Sequence, residues 1–175
     1  MALVLWRFWT YSFLGYLLEK AYAAAVSAEK QTRKCLLLLP LCPVYGLGAL
    51  AALALPPESA GSLSGWALWG AFAATAVEYA VHWGYETLLG VRFWDYTGLP
   101  GNLRGRVCLL FSLAWWALLI PLPRVDAWLT PLLSAVPPPV TWAVLVIFAA
   151  DALAAGWVLR RTGDTEALSW KNAEA

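Results

Sequence analysis

Long apolar stretches separated by short polar connectors run along most of the chain. About twenty helical residues cross a hydrocarbon core of ~30 Å, so these stretches predict five transmembrane helices. The predicted spans are residues about 3–28, 36–55, 63–89, 107–122 and 140–159. The stretch 126–136 is short and interrupted by proline, and we expect it to lie at the membrane interface. The predicted fold class is an all-α integral membrane protein, with one transmembrane domain over residues 1–161 and a polar cytoplasmic tail over 162–175.

Positively charged residues lie on alternate connectors. Three groups account for most of them: Lys30, Arg33 and Lys34; Arg92, Arg104 and Arg106; Arg160, Arg161 and Lys171. The second connector carries only the acid Glu58, and the fourth carries the single base Arg124. Because cytoplasmic connectors are enriched in Lys and Arg, the N-terminus is predicted to face outward and the C-terminus to face the cytoplasm.

The composition supports a membrane location. Of the residues, 61% are hydrophobic and 13% are charged, about half the charged fraction of a soluble domain. This composition predicts the lipid bilayer as a partner. The 12 Lys and Arg residues nearly balance the 11 Asp and Glu residues, which gives no reason to expect a nucleic acid partner. The three cysteines lie in or beside apolar segments, which favours free thiols over a disulfide framework.

Three polar side chains share one face of the third predicted span. Glu78, His82 and Glu86 follow one another at intervals of four residues, and at about 100° per residue they fall within an arc of about 80°. An acid near the bilayer centre costs at least ~2.5–3.5 kcal/mol, so this face should point into the helix bundle. It either lines a pathway or binding site, or forms a structural network that locks helices together.

Two other spans add acids, Glu19 in the first and Asp151 in the fifth. Acids then outnumber the bases that could pair with them, which predicts either protonated acids or a site that favours a cationic or proton-donating ligand. A single histidine and no cysteine pair at ligand spacing predict no metal site, and no other cofactor is indicated. The chain has no phosphate-binding loop, so any use of ATP would need a separate subunit. Trp115 and Trp116 are expected to pack against lipid.

The connector that starts at Phe93 is aromatic, charged and rich in turn residues, with the sequence FWDYTGLPGNLRGRVCL. Together with segments of the first three spans, it resembles the family of small bacterial membrane proteins called type IV ABC-transporter permeases. The resemblance covers about the first two-thirds of the chain and rests on Gly15, Glu19, Pro43, Tyr45, Gly46, Gly48, Glu78, Glu86, Trp94, Asp95, Tyr96, Asn102, Gly105 and Arg106. The chain departs from the family pattern at Thr32 to Cys35, before the second span, and at His82.

This resemblance implies a permease-like, multi-pass transport protein of the bacterial cytoplasmic membrane. The residues expected to bind a small polar or cationic substrate are Glu19, Tyr45, Glu78, His82, Glu86 and Asp151. The residues expected to form a gate or loop staple are Trp94, Asp95, Tyr96, Asn102 and Arg106. Asp95 and Arg106 lie close enough in sequence to form an ion pair.

Two other functions stay open at this point. One is a membrane-embedded enzyme or lipid-binding protein that uses the same acids, although no catalytic residue can be assigned. The other is a structural partner subunit of a membrane complex, in which the acids only lock helices together. A separate ATPase, another membrane subunit and a second copy of the chain also stay open as partners.

Overall fold

The computed structural model describes residues 1–27, 35–56 and 61–169, and within them the chain is helical and has no β-strand. The six α-helices are α1, Ala2–Ala25; α2, Pro43–Leu53; α3, Leu63–Gly84; α4, Leu109–Leu119; α5, Leu122–Ser134; and α6, Pro138–Thr162. A π-helical turn, Tyr85–Leu89, continues α3, and a 3-10 turn, Thr165–Leu168, follows α6. The predicted all-α class is therefore confirmed. Among the charged residues used to predict the orientation, Lys30, Arg33, Lys34, Glu58 and Lys171 lie outside the described residues.

Contacts between helix ends show that α1 and α6 run in the same direction and that α4 runs in the opposite direction. At one end of the bundle, Trp6 Nε1 donates to Thr141 Oγ1 at 3.0 Å, which joins the start of α1 to the start of α6. At the other end, the Tyr22 and Phe111 rings meet edge to face at 6.0 Å, which joins the end of α1 to the start of α4. The connector between α3 and α4 lies at this second end, because Tyr96 stacks on Phe111. We name it the loop end, and the first the distal end.

The second predicted span is helical only in part. Helix α2 begins at Pro43, since Pro40 and Pro43 have no N–H to donate and proline suits the first turn of a helix. Its 11 residues rise about 16 Å, less than the thickness of a hydrocarbon core. The backbone before it is irregular, and the amides of residues 37–39 donate to the Asp151 carboxylate of α6 at 2.7–3.1 Å. The Asp151 carboxylate thus supplies acceptors to backbone amides that lie outside a helix.

The close approach of α1 and α2 depends on glycine. A Cβ atom at Gly15 would overlap the Tyr45 ring, and one at Gly46 would overlap the Ser12 hydroxyl and the Phe8 carbonyl oxygen. Small residues at a helix crossing let two backbones come this near to each other. The crossing places Tyr45 of α2 directly against α1.

Helices α4 and α5 form one bent element. Their axes differ by 54°, and Pro121 and Pro123 lie at the break, where they interrupt the helical hydrogen bonds. Arg7 Nε of α1 donates to Asp126 Oδ1 of α5 at 2.8 Å, which attaches α5 to the distal end of α1. The stretch predicted to lie at the interface is thus part of a helix that already begins at Leu122.

Much of the outer surface of these helices is apolar. Among the described helices, α6 alone is long and apolar enough to cross a membrane by itself, and the bent pair of α4 and α5 is a second candidate as a broken span. Only 17% of the apolar window of α6 is buried, and Leu153 is 76% exposed, unlike the core helix of a soluble protein. Large exposed apolar side chains also lie on α1, α3 and α4, among them Val4, Leu17, Trp69, Phe72, Leu109 and Leu113. A surface of this kind fits lipid better than water.

Candidate functional site

Glu78 lies at the centre of a buried polar group where α3, α4 and the connector meet. The residue is 5% exposed. Tyr96 of the connector donates its hydroxyl to Glu78 Oε1 at 3.1 Å, and Trp115 of α4 donates its Nε1–H to Oε2 at 3.0 Å. Because each carboxyl oxygen accepts a hydrogen bond from a different element, the orientation of the Glu78 side chain is fixed from two sides.

A second acid, Glu19 of α1, joins this group through Tyr45. The Tyr45 hydroxyl donates to Glu19 Oε1 at 2.6 Å. The Tyr45 ring packs against the Trp115 ring at a centroid distance of 5.2 Å, so the partners of the two acids touch each other. We name Glu19, Tyr45, Glu78, Tyr96 and Trp115 the carboxylate cluster. It draws on α1, α2, α3, α4 and the connector.

No base neutralises the carboxylate cluster in the described part of the chain. The ion pairs found there belong to other acids, namely Asp126, Glu86 and Asp95. Glu19 and Glu78 take part in none of them. The cluster therefore offers two acids and their acceptor oxygens without an ion-paired Lys or Arg among the described residues, which suits a cationic or hydrogen-bond-donating ligand.

His82 lies one helical turn from Glu78, toward the loop end, and is 2% exposed. Its Nε2 atom lies 3.0 Å from the Trp94 carbonyl oxygen, and its ring meets the Trp94 ring edge to face at 5.2 Å. A carbonyl oxygen can only accept, so Nε2 carries a hydrogen. The Nδ1 atom is buried, and none of the described residues provides it with a hydrogen-bond partner.

Glu86 belongs to a different, partly exposed group at the loop end. It accepts from Arg106 Nη2 at 2.7 Å and Nε at 3.2 Å, and it also pairs with Arg92. Arg106 donates in addition to the Tyr79 hydroxyl at 2.7 Å. The hydrogen bond to Glu86 raises the pKa of the Arg106 guanidinium above its ordinary value. Two bases thus engage Glu86, the third acid predicted to bind substrate.

The predicted ion pair between Asp95 and Arg106 is wrong. Asp95 accepts hydrogen bonds from the Thr97 amide, at 2.9 Å, and from the Thr97 hydroxyl, and it lies 3.7 Å from Arg92. The reason is local, because an Asp at the start of a turn readily bonds to the backbone two residues on. These bonds from Thr97 hold the pKa of Asp95 below its ordinary value.

Asn102 holds the turns of the connector in place. Its Nδ2 donates to two carbonyl oxygens of the preceding turn at 3.0 and 2.9 Å, and its Oδ1 accepts from the Gly105 amide at 3.2 Å. Trp94 Nε1 donates to the Arg106 carbonyl oxygen at 2.8 Å, which ties the two halves of the connector together. The connector is therefore a compact unit that presents Trp94 and Tyr96 to α3.

Asp151 lies apart from the carboxylate cluster. Both of its oxygens accept from the backbone amides of residues 37–39, and the residue is 3% exposed. Its role in substrate binding stays a prediction. Within the ranges that the structure describes, no three Asp, Glu, His or Cys side chains are grouped as they would be around a metal ion.

The sequence does not single out two of the contacts described above. The sequence predicts that Trp115 packs against lipid, and this prediction is wrong, because Trp115 is 7% exposed and bonds to Glu78. A buried indole N–H needs an acceptor, and an acid in the neighbouring span is the signal that could have predicted this contact. The pair of Arg7 and Asp126 is the second contact. The predicted orientation places both residues at the same membrane face, which could have revealed it.

Comparison with known proteins gives one match. A family model with the description "Putative ABC-transporter type IV" matches residues 6–155, which include the whole carboxylate cluster and the connector. A search of curated proteins and a search of solved structures each found no match.

Proposed function

This chain belongs to the ABC-transporter type IV family, and on that premise we propose that it is a permease-like membrane transport protein. A small polar or cationic substrate binds at the carboxylate cluster. The observation that carries the proposal is the setting of Glu78, which is buried and hydrogen-bonded from two elements, and which forms no ion pair with a Lys or Arg among the described residues. Intramembrane acids of this kind mark the paths of ions and substrates.

A partner subunit fits the family relation. A separate ATPase would have to supply the nucleotide site, since the chain itself has no phosphate-binding loop. The carboxylate cluster would then be the part of the assembly that binds substrate, and the connector would be its inner gate.

The contacts of the connector support a role as a gate. The Tyr96 hydroxyl reaches Glu78, while the Tyr96 ring stacks on Phe111 at 4.7 Å. The Trp94 carbonyl oxygen bonds to His82. Movement of the connector would break the contacts with both Glu78 and His82 and would open the cluster toward the loop end. On the predicted orientation this is the cytoplasmic side.

One observation favours a structural partner subunit instead. The hydrogen bonds of Glu78 join α3, α4 and the connector, as a helix-locking residue would do. A locking residue contributes to stability alone, whereas a substrate-binding residue contributes to transport. Glu78→Gln separates the two roles, because glutamine keeps the size and one acceptor oxygen but removes the charge.

Transport is measured in membrane vesicles from cells that produce the chain, with ATP supplied on the cytoplasmic side. Uptake of labelled guanidinium and tetramethylammonium is compared with the unfolding temperature in detergent. We expect Glu78→Gln to lower uptake of both cations by about tenfold or more, with a change of only a few degrees in unfolding temperature. Asp164→Asn removes a carboxylate from the 3-10 turn and is the matched control, which should transport like the wild type.

Two results would contradict the proposed function. One is wild-type uptake no greater than that of vesicles without the protein. The other is a Glu78→Gln variant that transports normally but unfolds at a much lower temperature, which would favour the structural partner subunit.

A further inference from the structure

The Nδ1 atom of His82 is a buried acceptor without a donor. Nε2 bonds to the Trp94 carbonyl oxygen at 3.0 Å, which requires a hydrogen on Nε2. In the neutral ring, Nδ1 then keeps its lone pair, and no described residue donates to it. Buried polar atoms in folded proteins nearly always have a partner. We therefore expect Nδ1 to accept a hydrogen bond from a donor that is not among the described residues.

Two other buried polar atoms lack a partner among the described residues, but neither has a ligand-binding setting. Trp9 Nε1 belongs to an apolar cluster with Leu159 and Leu168. Ser12 Oγ packs against Gly46, where even a single carbon atom would overlap it. His82 differs from both, because it lies beside a carboxylate.

Glu78 and His82 are positioned to contact one small molecule together. They lie four residues apart on one helix face, which places their Cβ atoms about 5–6 Å apart. The connector bonds to both of them, through the Trp94 carbonyl oxygen and the Tyr96 hydroxyl. A ligand at Glu78 would therefore lie within reach of the His82 ring.

The chemical groups around Glu78 and His82 favour one class of ligand. When ionised, Glu19 and Glu78 supply negative charge, and His82 Nδ1 supplies an acceptor. An anion would be repelled by the acids, and a neutral apolar molecule would leave Nδ1 without a partner. Resting on the proposed function, we propose that the substrate is a cation with N–H groups, a primary ammonium or guanidinium ion, and that His82 Nδ1 accepts one of its hydrogen bonds. His82 is then the residue that determines specificity, while the acids attract the charge.

A quaternary ammonium ion is the matched probe for this role. Tetramethylammonium carries the same charge as guanidinium but has no N–H to donate. The rings of Tyr45, Tyr96 and Trp115 can attract either cation. The ratio of the two affinities therefore reports the hydrogen bond to His82, separately from the attraction of the acids.

Dissociation constants for guanidinium and tetramethylammonium are measured by calorimetry on the full chain in detergent. We expect the wild type to prefer guanidinium by about tenfold, which one hydrogen bond to a charged donor provides. His82→Gln keeps an N–H for the Trp94 carbonyl oxygen but places no acceptor at the position of Nδ1, so the ratio should fall to about one. Thr75→Val removes a different hydrogen bond of α3, the one to Ser112 at 3.1 Å, and should keep the wild-type ratio.

Equal affinities in the wild type, or a wild-type ratio in His82→Gln, overturn the role of His82. The proposed function survives such a result if Glu78→Gln binds both cations more weakly than the wild type does. Binding of both cations by Glu78→Gln at wild-type affinity overturns the proposed function itself. If His82→Gln does not fold, the role of His82 is tested on the wild type by measuring its affinity for ammonium ions that carry one to four methyl groups. Affinity should fall as methyl groups replace N–H groups, and the absence of such a trend overturns the role of His82.

Discussion

Hydrogen-bond partners, more than helical spacing, distinguish the acids of this chain from one another. Glu78 and Glu86 share one face of α3 and its continuation, yet Glu78 bonds to neutral donors and Glu86 bonds to two arginines. The difference follows from depth, because the arginines of the connector reach the end of the helix but not its middle. On the proposed function, Glu78 is therefore the acid that binds the substrate, while Glu86 holds the connector in place.

The hydroxyl of Tyr96 should contribute to stability through Glu78 alone. Tyr96→Phe removes this hydrogen bond and keeps the ring stacked on Phe111. We expect a loss of about 1 kcal/mol in the free energy of unfolding, which lowers the unfolding temperature in detergent by a few degrees. Tyr16→Phe, one turn before Glu19 on α1, is the control. Equal unfolding temperatures for Tyr96→Phe and the wild type would argue against the hydrogen bond.

The pKa of Asp95 makes the stability of the connector depend on pH. Thr97 bonds to the charged carboxylate and lowers the pKa of Asp95 in the folded chain. The stabilisation is thus complete above the ordinary pKa of an Asp, about 4, and is lost as the pH falls through the lowered value. The unfolding temperatures of the wild type and Asp95→Asn should differ at pH 7 and converge as the pH falls through the lowered pKa of Asp95. A difference in unfolding temperature that stays constant over this pH range would show that the charge of Asp95 does not contribute to stability.

Among the secondary-structure elements, the irregular entry to α2 depends most on a distant residue. Prolines stop the helix before Pro43, so the amides of residues 37–39 have no helical acceptors. Asp151 on α6 accepts all three. The element therefore takes its shape from a side chain more than a hundred positions away.

Asp151→Asn should destabilise this element. Asparagine has one acceptor oxygen and no charge, so the bonds to the amides are weakened or lost. We expect the free energy of unfolding to fall by about 1.5–3 kcal/mol, as measured by denaturation in detergent. Asp164→Asn, whose carboxylate accepts one amide in the exposed 3-10 turn, should cost less. A similar cost for both variants would mean that burial adds nothing to the bonds of Asp151.

Across the whole molecule, polar contacts hold the two ends of the bundle while apolar side chains cover its flanks. The Arg7–Asp126 pair lies at the distal end and the Glu86–Arg106 pair at the loop end. Apolar side chains between them are exposed on α1, α3, α4 and α6. This arrangement suits a bilayer, whose polar faces contact the ends and whose hydrocarbon contacts the flanks.

Labelling of single cysteines tests the predicted orientation. The native Cys35, Cys42 and Cys108 are buried, so a membrane-impermeant maleimide should react little with the wild type. Ser134→Cys at the distal end should be labelled on intact cells. Gly98→Cys, where a side chain meets no neighbour, should be labelled only after the membrane is opened. Labelling of both positions from the same side would rule out the predicted arrangement of spans.

The sequence by itself determined the helical class, the acids of α3 and the family. Hydropathy and the 3.6-residue period are local properties of the chain, so they can be read without knowing how its parts pack. Family membership likewise depends only on the order of residues along the chain. The sequence also placed Glu19, Tyr45 and Glu78 in one candidate site, which the fold brings together.

Only the tertiary structure decided which groups these residues bond to. Trp115 meets Glu78, Asp151 meets the entry to α2, and Arg106 meets Glu86 rather than Asp95. Each of these contacts depends on how separate elements are placed against one another, and a hydrogen bond is decided by tenths of an ångström. Spacing along the chain cannot supply that distance. For the same reason, only the positions of the described residues around the ring show that His82 Nδ1 has no donor among them.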